Sequence, residues 1–231
     1  MLSLTHPEPA RALKMLLNID LVSDFVCPWC YIGKVRLYKA IESLRSEHQT
    51  LDFRINWLPY FLNPNTPPSG EPYRAFLEAK FGSAAEVDAL HARVAEAGAP
   101  DGVQFAFDRI AIRPNTMLAH RLTYGLQARG ARQERIRAVT DGVFEAHFNL
   151  GKNIGDAEVL ADIAAACGEN RERTLAYLES GENLTSVRRM AEQVQKQGIS
   201  GVPFFIIDRK LALSGAQSST AIGAAILQAM G

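Results

Sequence analysis

The chain predicts an α/β fold whose small sheet is interrupted by a large block of helices. Three observations carry that expectation. An apolar run at residues 19–25 stops at Val26-Cys27-Pro28-Trp29-Cys30 and leads into a helical stripe. Leu51, Phe53, Ile55 and Trp57 alternate with Asp52, Arg54 and Asn56, and helical periodicity then fills residues 74–197 before two short apolar runs and a last helix. The element order is therefore β-α-β, a helical block, then β-β-α.

Each element has a local reason. Residues 19–25 read as a buried strand. Gly33, Leu37, Ala40, Ile41 and Leu44 share one helical face, with Lys34, Arg36, Lys39 and Glu42 outside it, so a helix begins at or near Cys27. The alternating run at 51–57 is a period-two strand expected to end before Pro59, and the opening β-α-β unit is expected to be parallel and right-handed. Prolines 64, 67, 68 and 72 then carry the chain off the sheet. Helices are expected over 74–80, 84–97, 116–129, 133–148, 156–166, 171–178 and 184–197. Asn115 and Asp156 stand as N-caps, and Gly98, Gly130, Gly168 and Gly198 as stops. Residues 204–207 and 211–214 form an antiparallel pair across the turn Asp208-Arg209-Lys210, and a helix over 219–230 closes the chain. This is a thioredoxin-type arrangement: one domain over residues 1–231, interrupted by a helical insertion at about 65–185, with no repeat or Gly/Ser-rich linker.

Composition narrows the function. Lys plus Arg total 25 and Asp plus Glu total 25, so no basic excess exists to neutralise a phosphate backbone, and a general nucleic-acid binder is not expected. At 231 residues roughly 70% of the unfolded surface is buried on folding, enough for a core without disulfide staples. Residues 1–18 hold no apolar stretch longer than Met15-Leu16-Leu17, so no export signal is expected. Residues 211–231 lack charges but carry Ser214, Gln217, Ser218, Ser219, Thr220 and Gln228, too polar a set to span a bilayer. A reducing cytoplasm is the expected location, where a close cysteine pair points to redox or metal chemistry rather than to scaffolding.

Cys27-Pro28-Trp29-Cys30 stands where a strand runs into a helix, the place at which a Cys-x-x-Cys near a β-α-β unit reads as a redox motif. With Cys27 as N-cap, Pro28 falls at N1, where its missing N–H costs nothing. The helix dipole then favours the Cys27 thiolate and makes it the attacking sulfur. Cys30 lies one turn inside, placed to resolve a mixed disulfide. A zinc site would need two further ligands, and only Cys167 and five scattered histidines remain. A second feature is Gly201-Val202-Pro203-Phe204-Phe205, where the proline either starts a strand or forms a cis turn.

These motifs occur with Ser23-Asp24, Tyr31-Ile32-Gly33, Asn63-Pro64, Pro67-Pro68, Asn115-Thr116, Ala119-His120-Arg121-Leu122 and Ser214-Gly215-Ala216-Gln217. In this order the chain resembles the FrnE branch of the DsbA-like thiol-disulfide oxidoreductases. The resemblance implies a thioredoxin fold with a helical insertion, a redox-active dithiol at Cys27 and Cys30, and a cis proline at Pro203. It also implies that Val202 faces the dithiol and pairs its backbone with a substrate as a short added strand. The branch is similar to kappa-class glutathione transferases and 2-hydroxychromene-2-carboxylate isomerases, which place serine where Cys27 stands. Here both cysteines are present. The expected activity is disulfide exchange with protein or low-molecular-weight thiols. Glutathione enters as a co-substrate, through Val202 and Ser214, rather than as a tightly bound cofactor. Glutathione-dependent isomerase or transferase chemistry on a small aromatic molecule is the alternative, and a chaperone-like binding protein the third reading.

Cys27 and Cys30 are thus the candidate reacting residues, with Pro28, Trp29, Val202 and Pro203 as substrate contacts. Trp29 is expected to offer an apolar surface to thiol substrates. Asp24 either tunes a proton at Cys27 or, as the simpler reading, ends the strand by bonding backbone. Tyr31 either reaches the dithiol or packs on the insertion. Asn115 reads as a cap, His120 as a helix residue bonded into the insertion, Cys167 as buried and inert, and Arg188-Arg189 as a solvated face. No membrane partner is expected, and a homodimer through the insertion is compatible with such folds.

Overall fold

The strand that opens the sheet owes its place to alternation: Leu17, Ile19 and Leu21 are buried on one face, while Asn18 and Asp20 face the other. The computed structural model describes residues 15–231, so the reading of residues 1–18 as free of an export signal lies, up to residue 14, outside the described residues. The elements are β1 (Met15–Ser23), α1 (Pro28–Glu47) and β2 (Leu51–Pro59); then β3 (Glu71–Pro72), α2 (Tyr73–Phe81), α3 (Ala84–Gly98), β4 (Ile112–Arg113), α4 (Met117–Ala128), α5 (Gln133–Phe148), α6 (Ala157–Ala166), α7 (Arg171–Glu179) and α8 (Leu184–Lys196); then β5 (Phe204–Ile207), β6 (Leu211–Ser214) and α9 (Ser219–Met230). The main sheet has the order β2-β1-β5-β6, with β1 parallel to β2 and antiparallel to β5, and β5 antiparallel to β6. A thioredoxin-like fold elaborated by helices is therefore what the chain adopts.

Two strand boundaries correct the sequence reading. β1 starts at Met15 and ends at Ser23 rather than spanning 19–25, because Met15 to Asn18 already pair with Leu51 to Arg54 and Phe25 turns into the core beyond the strand. β2 runs through Pro59, which lies opposite Ser23. Proline is tolerated there because β2 is an edge strand, and the ladder resumes when the Tyr60 N–H donates to the Ser23 carbonyl at 3.0 Å. The β3–β4 ribbon was absent from the sequence reading, since two-residue strands carry no periodicity.

The insertion closes the free edge of β2. The N–H of Ile55 donates to Gln133 Oε1 at 2.8 Å and that of Trp57 to Gln127 Oε1 at 2.6 Å, while Gln127 Nε2 donates back to the Trp57 carbonyl at 3.1 Å. Two side chains thereby satisfy backbone groups that would otherwise invite another strand. Beneath them Phe25, Phe144 and Phe148 are fully buried between sheet and insertion. Each contributes roughly 1.5–3 kcal/mol by leaving water, which makes this joint part of one core. On α1, the buried Lys34 pairs with Asp141 of α5 and lies 5.0 Å from the Tyr31 ring centroid, fixing the first turns of α1 against the insertion.

Helix ends follow their capping chemistry. Asp156 accepts from the Glu158 N–H as expected. At α4 the cap position is Thr116, one residue after the expected Asn115, yet the Asn115 carboxamide still accepts from the Met117 N–H at 3.0 Å. Gly130, Gly168 and Gly198 follow their helices at positive φ, whereas Gly98 is the last residue of α3.

Candidate active site

β1 delivers the chain to the site. The Asp24 carbonyl accepts from the Cys27 N–H at 3.1 Å, so the backbone reverses and Cys27 becomes the N-cap of α1, at φ −93° and ψ 112°, with Pro28 in the first turn. The Cys27 carbonyl accepts from the N–H groups of Cys30 at 3.0 Å and Tyr31 at 3.3 Å, which sets Cys30 one turn along. The positive end of the α1 dipole thus lies at the Cys27 sulfur.

The Val202–Pro203 peptide bond is cis, and it brings the Val202 carbonyl to 3.7 Å from Cys27 Sγ, the thiol donating. Pro203 is held in turn: its carbonyl accepts from the Gly215 N–H at 2.8 Å, so the start of β5 and the end of β6 brace the loop. Ser214 pairs with Phe204 at that sheet end.

The two thiols have different surroundings. Cys27 lines a cavity, whereas Cys30 is wholly inaccessible. Burial pushes the Cys30 thiol well up, and the neighbouring Cys27 sulfur pushes it the same way. Ser23 works against that rise: its buried hydroxyl, without a nitrogen or oxygen partner among the described residues, faces Cys30. A sulfur at a helix N-terminus that is largely buried but lines the cavity, above a wholly enclosed, protonated one, is the asymmetry that sequential disulfide exchange requires.

The cavity has a volume of about 340 Å³ and lies between the dithiol and the insertion helices α2 and α3. Pro28, Trp29 and Val202 line it together with Cys27. Trp29 is 40% exposed and presents its ring at the mouth. Pro203 sits behind Val202 and is buried.

Other residues singled out in the sequence sort themselves by contact. Asp24 is buried, and its carboxylate accepts from the Leu62 N–H at 2.9 Å and lies 3.3 Å from His120 Nε2. It is thus a backbone-bonding residue with a partner not foreseen, and His120 reaches out of the insertion to the redox turn. Tyr31 packs on the insertion, stacked on Phe144 at 5.2 Å and edge-on to Phe105 at 5.9 Å. Cys167 caps the end of α6 and is half-buried rather than buried. Arg188 and Arg189 are exposed on α8. Among the described residues no cluster of histidine, cysteine and carboxylate side chains could hold a metal ion, and no helix is long and apolar enough to cross a membrane.

Sequence reasoning missed the cavity's outer wall. Tyr73, Phe76, Leu77 and Lys80 recur at i, i+3, i+4 and i+7 on α2, a stripe legible in the sequence. Nothing in the sequence said that this stripe would face the dithiol, since the loop joining β2 to α2 sets that angle.

A helix-capping thiol, a second thiol one turn within, and the carbonyl of the residue before a cis proline facing the first define a thioredoxin-fold dithiol protein. The chain belongs to the DSBA-like thioredoxin domain family, whose model matches residues 18–226. It is 25% identical over 196 residues to the uncharacterised protein YwbO of Bacillus subtilis, covering 84% of this chain and 88% of that one. It superposes on the probable DsbA oxidoreductase SCO1869 of Streptomyces coelicolor with a TM-score of 0.81 at 26% identity, over 93% of this chain and 90% of the other. A 2-hydroxychromene-2-carboxylate isomerase shares the fold, with a TM-score of 0.63 at 13% identity over 91% and 95% of the two chains.

Proposed function

We propose that the protein is a thiol-disulfide oxidoreductase that exchanges disulfides with protein or low-molecular-weight thiols through Cys27 and Cys30. The observation that carries this reading is the asymmetric pair: Cys27 at the α1 N-cap with its sulfur 3.7 Å from the Val202 carbonyl, and Cys30 buried one turn below.

Cys27, as thiolate, attacks one sulfur of a disulfide; the S–S bond breaks, a mixed disulfide forms, and the departing sulfur takes a proton from solvent. Cys30 then loses its proton and attacks the Cys27 sulfur, which releases the second thiol and leaves an internal disulfide. Two electrons and two protons pass to the substrate. Two low-molecular-weight thiols such as glutathione restore the dithiol and become a disulfide themselves, so glutathione is a co-substrate in this scheme. The Val202 backbone aligns the target chain, Pro203 fixes that backbone, and Pro28 and Trp29 supply apolar contact. A reducing cytoplasm is the compartment in which this cycle runs toward substrate reduction.

The test is the pair of single-thiol variants. Cys27→Ser is expected to abolish turnover with bis(hydroxyethyl) disulfide, and Cys30→Ser to accumulate a mixed disulfide detectable by mass. Full activity in Cys27→Ser would overturn the reading, and unimpaired turnover in Cys30→Ala would favour a monothiol, glutathione-dependent isomerase or transferase instead.

A further inference from the structure

The cavity beside Cys27 has its own chemistry. Trp29, Leu62 and Phe81, at 40%, 37% and 47% exposure, stand among the few large apolar side chains exposed on the described surface, and all three line this one cavity. Isolated exposed apolar residues need no explanation, but three converging on one opening mark a binding mouth. Within, Phe76, Leu90 and Phe107 continue the apolar wall. The volume of about 340 Å³ falls at the lower end of small-molecule sites and accepts a body of one or two rings.

The charge is one-sided. No carboxylate lines the cavity. Its two cations differ: Arg113 is paired with Glu71 and lies over the Phe76 ring at 3.9 Å, whereas Lys80 has no carboxylate within reach among the described residues. Lys80 bonds only the Asn63 carboxamide, at 3.3 Å, and stands 5.6 Å and 5.5 Å from the Phe76 and Phe81 ring centroids. His91, which also lines the cavity, is pushed toward its neutral form by burial and adds no compensating charge of either sign.

We infer that this cavity binds the apolar arm of a small disulfide bearing a negative charge, with the ring between α2 and α3 and the anion on Lys80. The inference rests on the dithiol reading and names its substrate class. Cys27 attacks the sulfur next to the seated arm, the ligand's S–S bond breaks, and the other half leaves as a thiolate that takes a proton. Cys30 then displaces the seated thiol, and the ligand has gained two electrons from the pair. An insertion that roofs the dithiol, rather than an open groove, suits a small ligand better than a polypeptide.

Two measurements test it. The first is calorimetric binding of naphthoate, an apolar anion without sulfur, to the full chain carrying Cys27→Ser and Cys30→Ser. Binding is expected, weakened three- to fivefold by Lys80→Gln, the range of one exposed charge pair, and lost in Leu90→Trp, which fills the cavity. The second is stopped-flow oxidation of the reduced protein by dithiobis-nitrobenzoate, by uncharged dithiodipyridine and by bis(hydroxyethyl) disulfide, each normalised to its reaction with dithiothreitol. Lys80→Gln is expected to slow only the anionic aromatic disulfide, by the same factor, and Leu90→Trp to slow both aromatic ones. No naphthoate binding, or binding indifferent to both substitutions, overturns the inference whatever the redox result. Equal sensitivity to Leu90→Trp with the disulfide-linked dimer of a cysteine peptide carrying an apolar neighbour as oxidant would reassign the cavity to a polypeptide and overturn it too. Failure of any disulfide to form an internal Cys27–Cys30 bond sinks the dithiol reading instead, and the naphthoate result separates the two failures.

Discussion

Gly33 of α1 lies against Pro203 so closely that a Cβ built on it would stand 2.8 Å from Pro203 Cγ and 3.2 Å from Phe205 Cζ. The dithiol helix and the proline loop therefore meet through a glycine. Gly33→Ala would raise helix propensity by roughly 0.5–1 kcal/mol, but overpacking a rigid ring costs roughly 1–3 kcal/mol. The second effect wins because the Gly215 hydrogen bond holds Pro203 from behind. Gly33→Ala is expected to destabilise the fold by about 1–2 kcal/mol in urea and to slow turnover with bis(hydroxyethyl) disulfide several-fold, by moving Val202 off Cys27. An unchanged urea midpoint with unchanged turnover would show that the contact is not limiting.

Cys30 sets the pH dependence of the second step. Its thiol is held well above the usual range, chiefly by burial, and burial persists once Cys27 is tied up in a mixed disulfide. Only thiolate attacks, so between pH 7 and 9 the resolving rate is expected to climb about tenfold per pH unit. Quenched-flow release of the second thiol from a preformed Cys27 mixed disulfide checks this. A plateau already at pH 7 would mean that Ser23 offsets burial far more strongly than its single hydroxyl suggests.

Why the sequence yielded the redox turn but not its surroundings is a matter of range. Cys27, Pro28 and the stripe through Leu37 and Leu44 are governed by contacts within a few residues, so cap, first turn and helix were all legible. The Ile19-to-Leu21 strand was legible for the same reason, yet its start at Met15 was not, because that segment is defined by its partner Leu51 rather than by its own pattern. The Asp24–His120 contact joins residues far apart in the chain, and the Lys80 wall depends on how the proline-rich loop aims α2. The cis geometry at Val202–Pro203 came from family resemblance, since local arithmetic left both isomers open.

Asp24 anchors that turn through three acceptor contacts: its carbonyl to Cys27, and its carboxylate to Leu62 N–H and His120. Removing the carboxylate strands the buried His120 imidazole and the part-buried Leu62 N–H, at roughly 1–3 kcal/mol for each group left without a partner. Asp24→Ala is expected to lower stability by about 2–4 kcal/mol, whereas Asp24→Asn, which keeps an oxygen for Leu62, should recover about half. Urea unfolding at pH 7 compares them. Equal losses would place the effect on charge rather than on the lost acceptor.

His147, buried at the cavity wall, makes the fold acid-sensitive. Burial pushes its imidazole down to about 4 from 6.5, opposed only weakly by the Lys152 backbone and the Asp24 charge, and Nδ1 has no partner among the described residues. Well above pH 6.5 the ring is neutral in both folded and unfolded chains and contributes nothing to pH dependence. As pH falls from 6.5 toward 4 the unfolded chain takes up a proton that the native state refuses, so stability drops. Below about 4 both states hold the proton and the loss is complete. Between pH 7 and 5 this one group should remove about 2 kcal/mol. His147→Phe keeps a ring in place and removes the titration, so its unfolding free energy from urea titration should fall less over the same interval, by that amount. Parallel losses in the two proteins would mean that another group, not His147, carries the acid sensitivity.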